Sequence, residues 1–355
     1  MTAENFVYIV ILNWNGWADT LECLESVFRL HHHHYRVIVC DNDSQDGSVE
    51  KITFWADGLL NVHVESSTKL RYLSWPFVGK PVTYQVLTNN LQYEYGNCNR
   101  EDAKLTIIRT GANLGFAGGN NVGLRYALSS DNFEYVWLLN NDTVVDDMSL
   151  AMLTEQAARY KKENSCIGII GTKLYLYDTP NMLQCIGGKL NKYTCRTELI
   201  GSCLPDILEE GIEGNIDYVV GASMLVSKNY LKEIGLMCED YFLYYEELDW
   251  IYRGMSHGWS LGYSKNAIVY HKEGASIGTS SDPKLKSDIS DYYLLRSRII
   301  FAEKFFPDRL WLVKICFIAV LINRLRRGQG KRFKNTLNIL FDKQQNSFNG
   351  LRIIR

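Results

Sequence analysis

No run of about eighteen uninterrupted apolar residues occurs in the chain, so no membrane-spanning helix is predicted. The opening, MTAENFVYIVILNWNG, has no basic n-region and no small-residue cleavage site, so it does not read as a secretory signal. An excess of one charge is also missing. Thirty-eight Lys and Arg face forty Asp and Glu, a formal charge of −2, which gives no whole-chain electrostatic reason to bind nucleic acid. The nine cysteines include no CxxC pair and no Cys/His grouping with zinc spacing, and their number is odd. They read as reduced, mostly buried thiols in a cytosolic protein, since a chain this long needs no disulfide staples. No internal repeat is visible. What is present is ordinary: 46% hydrophobic and 22% charged residues over 355 positions, the profile of one large folded domain or two smaller ones.

Residues 6–12 (FVYIVIL) form a short, continuous, β-branched apolar run, which reads as a buried parallel strand. Trp17, Leu21, Leu24, Val27 and Phe28 follow at helical spacing. A second buried strand over 37–40 ends at Asp41, in DNDSQDGS, a segment full of turn formers. Strand, helix and strand in quick succession open an α/β sheet. Between about 55 and 103 the periodicity fades, which reads as an insertion between sheet elements. The sheet resumes at 104–109, followed by a glycine-rich turn and helix, GANLGFAGGNNVGLRYAL. A buried strand at 134–139 then runs into Asn140-Asn141-Asp142. A helix over 149–162, a strand over 167–173, loops and short strands over 174–216, and a strand over 217–227 are expected next. A helix over 246–257 and a strand over 261–270 lead into a helical C-terminal region.

In open α/β sheets, ligands bind beyond the carboxyl ends of the strands. Three polar groups stand at such ends, at 13–15, 41–46 and 140–142. Each alone fits a simple turn; three on one sheet edge favour a site. Asp41 can accept hydrogen bonds from a base imide or a ribose hydroxyl, or it can make an Asx-turn. Gly115, Gly118 and Gly119 are not the GxGxxG dinucleotide fingerprint, but they allow close backbone approach at a helix N-terminus, where phosphate is favoured. Asp142 is suited to Mg²⁺, which is usually held by one or two carboxylates and substrate phosphates. Glu246, Glu247 and Asp249 place three carboxylates within four residues. They either complement a helix dipole or divide roles, one serving as general base. Arg253, four residues after Asp249, fits an i,i+4 ion pair. His271 ends an apolar strand and is a candidate metal ligand beside Asp142.

Between Asp308 and Asp342 no acidic residue occurs, while eight basic ones do. The stretch WLVKICFIAVLI is interrupted by Lys314 and too short to span a bilayer comfortably. It suits an interfacial helix on an anionic membrane surface, with Arg324, Arg326 and Arg327 among its contacts. A core helix with a solvated basic face is the plainer alternative.

The ordered set ILNWNG, DNDSQDGS, NLGFAGGNN, LLNNDT, YYEELDW with its following Arg, and VYH resembles the family 2 glycosyltransferases of GT-A fold. The similarity is strongest to bacterial rhamnosyltransferases of surface-polysaccharide assembly and covers roughly residues 6–275. It implies an α/β fold: a Rossmann-like, mostly parallel sheet flanked by helices in a transferase domain over 1–275, with the insertion at about 55–103. A helical C-terminal extension over 276–355 would follow. The resemblance also implies an inverting transfer of rhamnose or another hexose from a dTDP- or UDP-linked donor to a glycan or lipid-linked acceptor. The enzyme would be cytoplasmic and peripheral at the inner face of the cell membrane, and would bind no nucleic acid. Asn13, Asn15 and Asp41 would line the nucleotide pocket, with Asn113, Gly115, Asn120 and Asn141 close by. Asp142 would match the final acid of the DxD motif, whose first acid is here Asn140. Asp142 and His271 would hold Mg²⁺ or Mn²⁺, and Arg253 would serve the diphosphate. Glu247 would be the general base, with Glu246 and Asp249 beside it. A catalytically inactive nucleotide-sugar or glycan-binding relative is the alternative, favoured by the substituted DxD position.

Overall fold

The computed structural model describes residues 6–130, 132–205, 216–272 and 287–341. The chain opens with strand β1 (Val7–Asn13), helix α1 (Trp17–Val27), β2 (Tyr35–Asp41) and α2 (Ser48–Asp57). Strands β3 (Tyr84–Thr88), β4 (Tyr93–Gly96) and β5 (Leu105–Arg109) lead to α3 (Gly115–Ser129). Next come β6 (Tyr135–Asn140), β7 (Thr143–Val145), α4 (Ser149–Lys162) and β8 (Ile167–Leu176). Three short strands follow: β9 (Leu183–Cys185), β10 (Gly187–Asn191) and β11 (Arg196–Ile200). Then come β12 (Ser223–Ser227), α5 (Lys228–Ile234), α6 (Glu246–Ser256) and β13 (Ser260–His271). The C-terminal region is helical, with α7 (Asp288–Phe305), α8 (Leu310–Arg326) and α9 (Gly330–Phe341).

One mixed sheet organises the molecule, in the order β4-β3-β5-β2-β1-β6-β12-β8-β13-β7, with β9 paired to β8. The pairs β3/β5, β5/β2, β2/β1 and β1/β6 are parallel, and β12 runs antiparallel between β6 and β8. The strands show no alternation of polarity because both faces are covered. Along β1, Ile9 and Ile11 join one hydrophobic cluster while Tyr8 and Val10 join the other. The same split occurs in β6, with Trp137 and Leu139 on one side and Val136 and Leu138 on the other. Each such side chain taken fully from water contributes roughly 1.5–3 kcal/mol. Leu295, Ile299 and Phe301 of α7, with Val313 and Phe317 of α8, belong to the same cluster as Val10. The C-terminal helices are therefore continuous with the core of the sheet.

Parallel pairing also decides where polar side chains collect. Asn13 pairs with Asp41, and Leu12 with Asn140, so β1, β2 and β6 end at one level.

Two sequence expectations need correction. Much of the 55–103 segment is woven into the structure: β3 pairs in parallel with β5 and carries β4 at the sheet edge. Its strand was hidden because Gln85 breaks the apolar run; that side chain is buried by donating to Thr106 Oγ1 and Tyr126 Oη, each at 3.0 Å. The expected strand over 217–227 shortens to β12, because the backbone at Tyr218 turns aside to pair with Gly188 of β10. None of the nine cysteines is joined in a disulfide; four are buried, three partly so, and Cys166 and Cys203 are exposed.

Candidate active site

The first strand end and the second lock together. Asn13 Nδ2 donates to Asp41 Oδ1 at 2.8 Å and to Ser44 Oγ at 3.1 Å, while its own Oδ1 accepts from Thr20 Oγ1 at 2.8 Å. Asn15, held at a φ of 49°, accepts from the Gln45 amide at 2.7 Å. Burial pushes the Asp41 carboxyl up from its usual range, opposed by hydrogen bonds from Ser44 and Asn13. A buried acceptor of this kind, at a strand end and braced from its own side, is suited to a polar ligand above it.

The glycine-rich turn attaches to the same edge through Asn42. Asn42 Nδ2 donates to Asn113 Oδ1 at 3.0 Å and to the Gly115 carbonyl at 3.2 Å, and Asn42 Oδ1 accepts from the Leu114 amide at 3.0 Å. Gly115 has a φ of +71°, and a Cβ there would collide with the carbonyl oxygen of Phe242. The Phe116 amide donates to that same carbonyl at 2.9 Å, so the turn seats the segment that leads into α6.

On the other side, β7 pairs with β13, His271 opposite Thr143, which brings Asp142 and His271 together. His271 Nε2 lies 3.1 Å from Asp142 Oδ1 and 3.4 Å from Asn140 Nδ2, and its Nδ1 lies 3.0 Å from Gln184 Oε1. Burial acts to raise the Asp142 carboxyl, but His271 and then Lys272 outweigh it and hold it below the carboxylate range. Lys272 donates to Asp19 Oδ1 at 2.7 Å and to Glu22 Oε2 at 2.6 Å, which ties the end of β13 to α1. A carboxylate oxygen and an imidazole nitrogen converging at a strand end are the donor types a Mg²⁺ or Mn²⁺ ion accepts. No group of three or more His, Cys, Asp or Glu side chains with metal spacing forms among the described residues. The pair thus fits an ion whose remaining ligands are phosphate and water.

The acidic pair opens α6. Tyr244 and Tyr245 both sit in the left-handed region, at φ 68° and 69°, which costs of order 1–3 kcal/mol each. Tertiary bonds hold them there: Tyr244 Oη to Ser290 Oγ at 2.5 Å, and Tyr245 Oη to the Cys195 carbonyl at 2.5 Å. The result buries Glu246 and partly buries Glu247. Oε2 of each is buried without a hydrogen-bond partner among the described residues. Burial pushes Glu247 up to about 7. Burial, and then the neighbouring Glu247, push Glu246 well above the usual range. Two carboxyl groups with unmet hydrogen-bonding capacity are the mark of a ligand-facing pair rather than of helix capping alone.

Other expected site residues are turned elsewhere. Arg253 Nε donates to Asp249 Oδ1 at 2.8 Å, and its Nη1 and Nη2 donate to the carbonyls of Ile234 and Leu236 at 2.8 and 2.7 Å. Its guanidinium is spent inside the fold, because the i,i+4 pairing buries the charge that a diphosphate would need. Asp249 is fully buried between Arg253, Lys304 at 2.5 Å and Tyr241 at 3.2 Å, and so anchors α6 rather than facing a cleft. Asn120 donates to the Phe116 carbonyl within its own helix. Asn141 donates to the Gly16 carbonyl at 3.2 Å and Thr20 Oγ1 at 3.1 Å, bracing the start of α1. Asn42, Thr20, Gln184 and Lys272 were not singled out from the sequence. Asn42 lies inside the quoted DNDS motif; Gln184 carries no local signal.

The sheet that carries this edge is of the GT-A fold. The chain matches Glycosyl transferase family 2 over residues 8–75 and Glycosyltransferase like family 2 over residues 96–285, and belongs to family 2 of the glycosyltransferases. The low-salt glycan biosynthesis hexosyltransferase Agl10 of Haloferax volcanii is 26% identical over 234 residues, covering 64% of this chain and 68% of that one. Among solved structures, the mannosyltransferase PcManGT of Pyrobaculum calidifontis, in complex with GDP-Man and Mn²⁺, aligns with a TM-score of 0.52 at 12% identity. The alignment covers 97% of this chain and 89% of that one. GalNAc-T7, solved with UDP, GalNAc and Mn²⁺, aligns with a TM-score of 0.53 at 13% identity over 84% of this chain and 48% of its own. These two likenesses establish the fold.

Proposed function

We propose that the chain is an inverting hexosyltransferase that moves rhamnose or another hexose from a dTDP- or UDP-linked donor to a glycan or lipid-linked acceptor in polysaccharide assembly. The observation that carries this reading is the convergence of Asp142 Oδ1 and His271 Nε2, 3.1 Å apart, beside the strand end that holds Asn13 and Asp41.

Asn13 and Asp41 would grip the base or ribose, with Asn15 shaping the loop. The turn at Asn113 and Gly115 would let the donor approach the backbone. Asp142 and His271 would hold Mg²⁺ or Mn²⁺, which when bound would offset diphosphate charge as a Lewis acid. Glu247 would take the proton of the acceptor hydroxyl. That oxygen would attack the anomeric carbon opposite the leaving nucleoside diphosphate, the anomeric C–O bond to phosphate would break, and the configuration would invert. Glu246 would keep its proton as Glu247 ionises, since adjacent buried carboxylates resist double charge. A lipid-linked acceptor would place the enzyme in peripheral attachment at the cytoplasmic face of the membrane.

The test is a thermal-shift screen with dTDP, UDP, GDP and their sugars, with and without Mg²⁺ or Mn²⁺. A ligand that binds only the native state raises the melting temperature. A metal-dependent shift with one nucleotide, joined to sugar transfer that Glu247→Gln abolishes, supports the reading. A shift with no transfer to any acceptor would identify a binding relative instead, and no shift at all would remove the donor site.

A further inference from the structure

The outward face of α8 is apolar. Trp311, Ile315, Ile318, Ile322 and Leu325 are all exposed, Trp311 at 60% and Leu325 at 70%. At roughly 100° per residue they fall in a sector about 80° wide, with Lys314 and Arg326 flanking it about 60° to either side of Trp311. Val313, Phe317 and Arg324 are buried on the inward side. Adjacent α9 adds exposed Leu337 and Phe341. A stripe of this kind, rimmed by polar residues, marks an interaction surface.

The charges around the stripe identify what meets it. Arg324 is not among them. Its side chain is 7% exposed, paired to Asp291 of α7 at 2.5 Å, and bonded to Thr336. Lys331 and Arg332 are paired with Asp288 at 3.3 and 2.7 Å. Lys314, Arg326, Arg327 and Lys334 have no ion-pair partner among the described residues. No acidic residue occurs from 309 to 341. A second copy of the same face would set cations against cations. No helix among the described residues is long and apolar enough to cross a membrane.

We propose that α8 lies flat in the headgroup region of an anionic bilayer, with Trp311, Ile315, Ile318, Ile322 and Leu325 among the acyl chains. Lys314, Arg326, Arg327 and Lys334 contact lipid phosphate. The aliphatic stems of Lys314 and Arg326 extend the apolar face while their charges reach the interface. This deepens the proposed peripheral attachment and is independent of the transfer chemistry.

Sedimentation of the full chain with vesicles tests it. The protein is expected to pellet with phosphatidylcholine/phosphatidylglycerol vesicles, not with phosphatidylcholine alone, and less as salt rises. Arg326→Gln with Arg327→Gln should weaken binding about fivefold per charge removed. Ile318→Gln with Ile322→Gln should abolish it at unchanged thermal stability. Brominated lipid should quench a component of tryptophan emission in the unaltered protein that Trp311→Phe lacks, a readout free of folding effects in the glutamine variants. Glu247→Gln should still pellet, and the surface variants should keep their donor-induced thermal shift, so failure of docking and failure of the transfer reading are separable. Absence of binding to anionic vesicles, or binding indifferent to both variant pairs, overturns the proposal. A dimer in sedimentation equilibrium that Ile318→Gln with Ile322→Gln dissolves would assign the face to a second copy instead.

Discussion

Gln184 Oε1 lies 3.0 Å from Nδ1 of His271. An amide oxygen only accepts, so Nδ1 carries a proton, and Nε2 is the nitrogen presented to Asp142 and the strand end, where it can donate to the carboxylate or give its lone pair to an ion. The side chain on β9 thus sets the tautomer of an imidazole on β13. Gln184→Ala is expected to lower divalent-metal affinity by about 10–100-fold. The measurement is the Mn²⁺ concentration that half-saturates the donor-induced thermal shift; an unmoved midpoint would take Gln184 out of this role.

Glu247→Gln removes the proposed base while keeping its shape. Turnover should fall by about 10²–10⁴-fold with donor binding retained. Because burial lifts Glu247 to about 7, the rate of the unaltered enzyme should rise with pH through an inflection near that value. The stability effect has the opposite sign. The fold prefers the protonated acid, so its contribution is full below the ordinary value of 4.5 and is lost as pH rises through about 7. The melting temperature of Glu247→Gln relative to the parent should therefore climb over that window. A constant difference between the two proteins would mean that Glu247 is ionised throughout.

Arg253 distinguishes an internal clamp from a diphosphate ligand. Asp249 is fully buried, and removing one partner of a buried charge pair costs about 3–5 kcal/mol, less here because Lys304 remains. Arg253→Ala should lower the melting temperature and leave the donor KM of the folded fraction unchanged. A raised KM at unchanged stability would restore the diphosphate role.

Gly115→Ala tests the seat of α6. A side chain at φ +71° that also meets the Phe242 carbonyl should cost about 1–3 kcal/mol in urea unfolding. It should also reduce kcat, since Phe242 leads directly into the acidic pair. Full kcat in a destabilised variant would uncouple the turn from the carboxylates.

The strand ends were legible because each is a local event: an apolar run long enough to cross the sheet, then Asn13, Asp41 or Asn140. Parallel pairing did the rest. For Arg253 and Asp249 the i,i+4 pair was legible, but the rest of their bonds were not. Their partners, Ile234, Leu236, Lys304 and Tyr241, lie 8 to 55 positions from the carboxylate or 17 and 19 from the guanidinium, outside any local pattern. Helix α1 makes the same point. Its Glu22 and Glu25 lie off the apolar stripe of Trp17, Leu21, Leu24 and Phe28. They are buried because a distant segment crosses them, Ser74 donating to Glu22 and the Val78 amide to Glu25 at 2.7 Å. The basic C-terminal run was visible as composition, but composition does not separate Arg324, locked onto Asp291, from exposed Arg326 and Arg327.

The bond from Lys304 to Asp249 bears on the order in which the molecule is assembled. Strands β1, β2, β5 and β6 are complete by residue 140, so the edge that holds Asn13 and Asp41 has its neighbours early in synthesis. Helix α6 comes later and carries a buried carboxylate whose second cation is not made until residue 304. Strained Tyr244, two residues before Glu246, likewise waits for Ser290. The carboxylates are thus fixed last, after the ends of β1, β2, β5 and β6 have all been made.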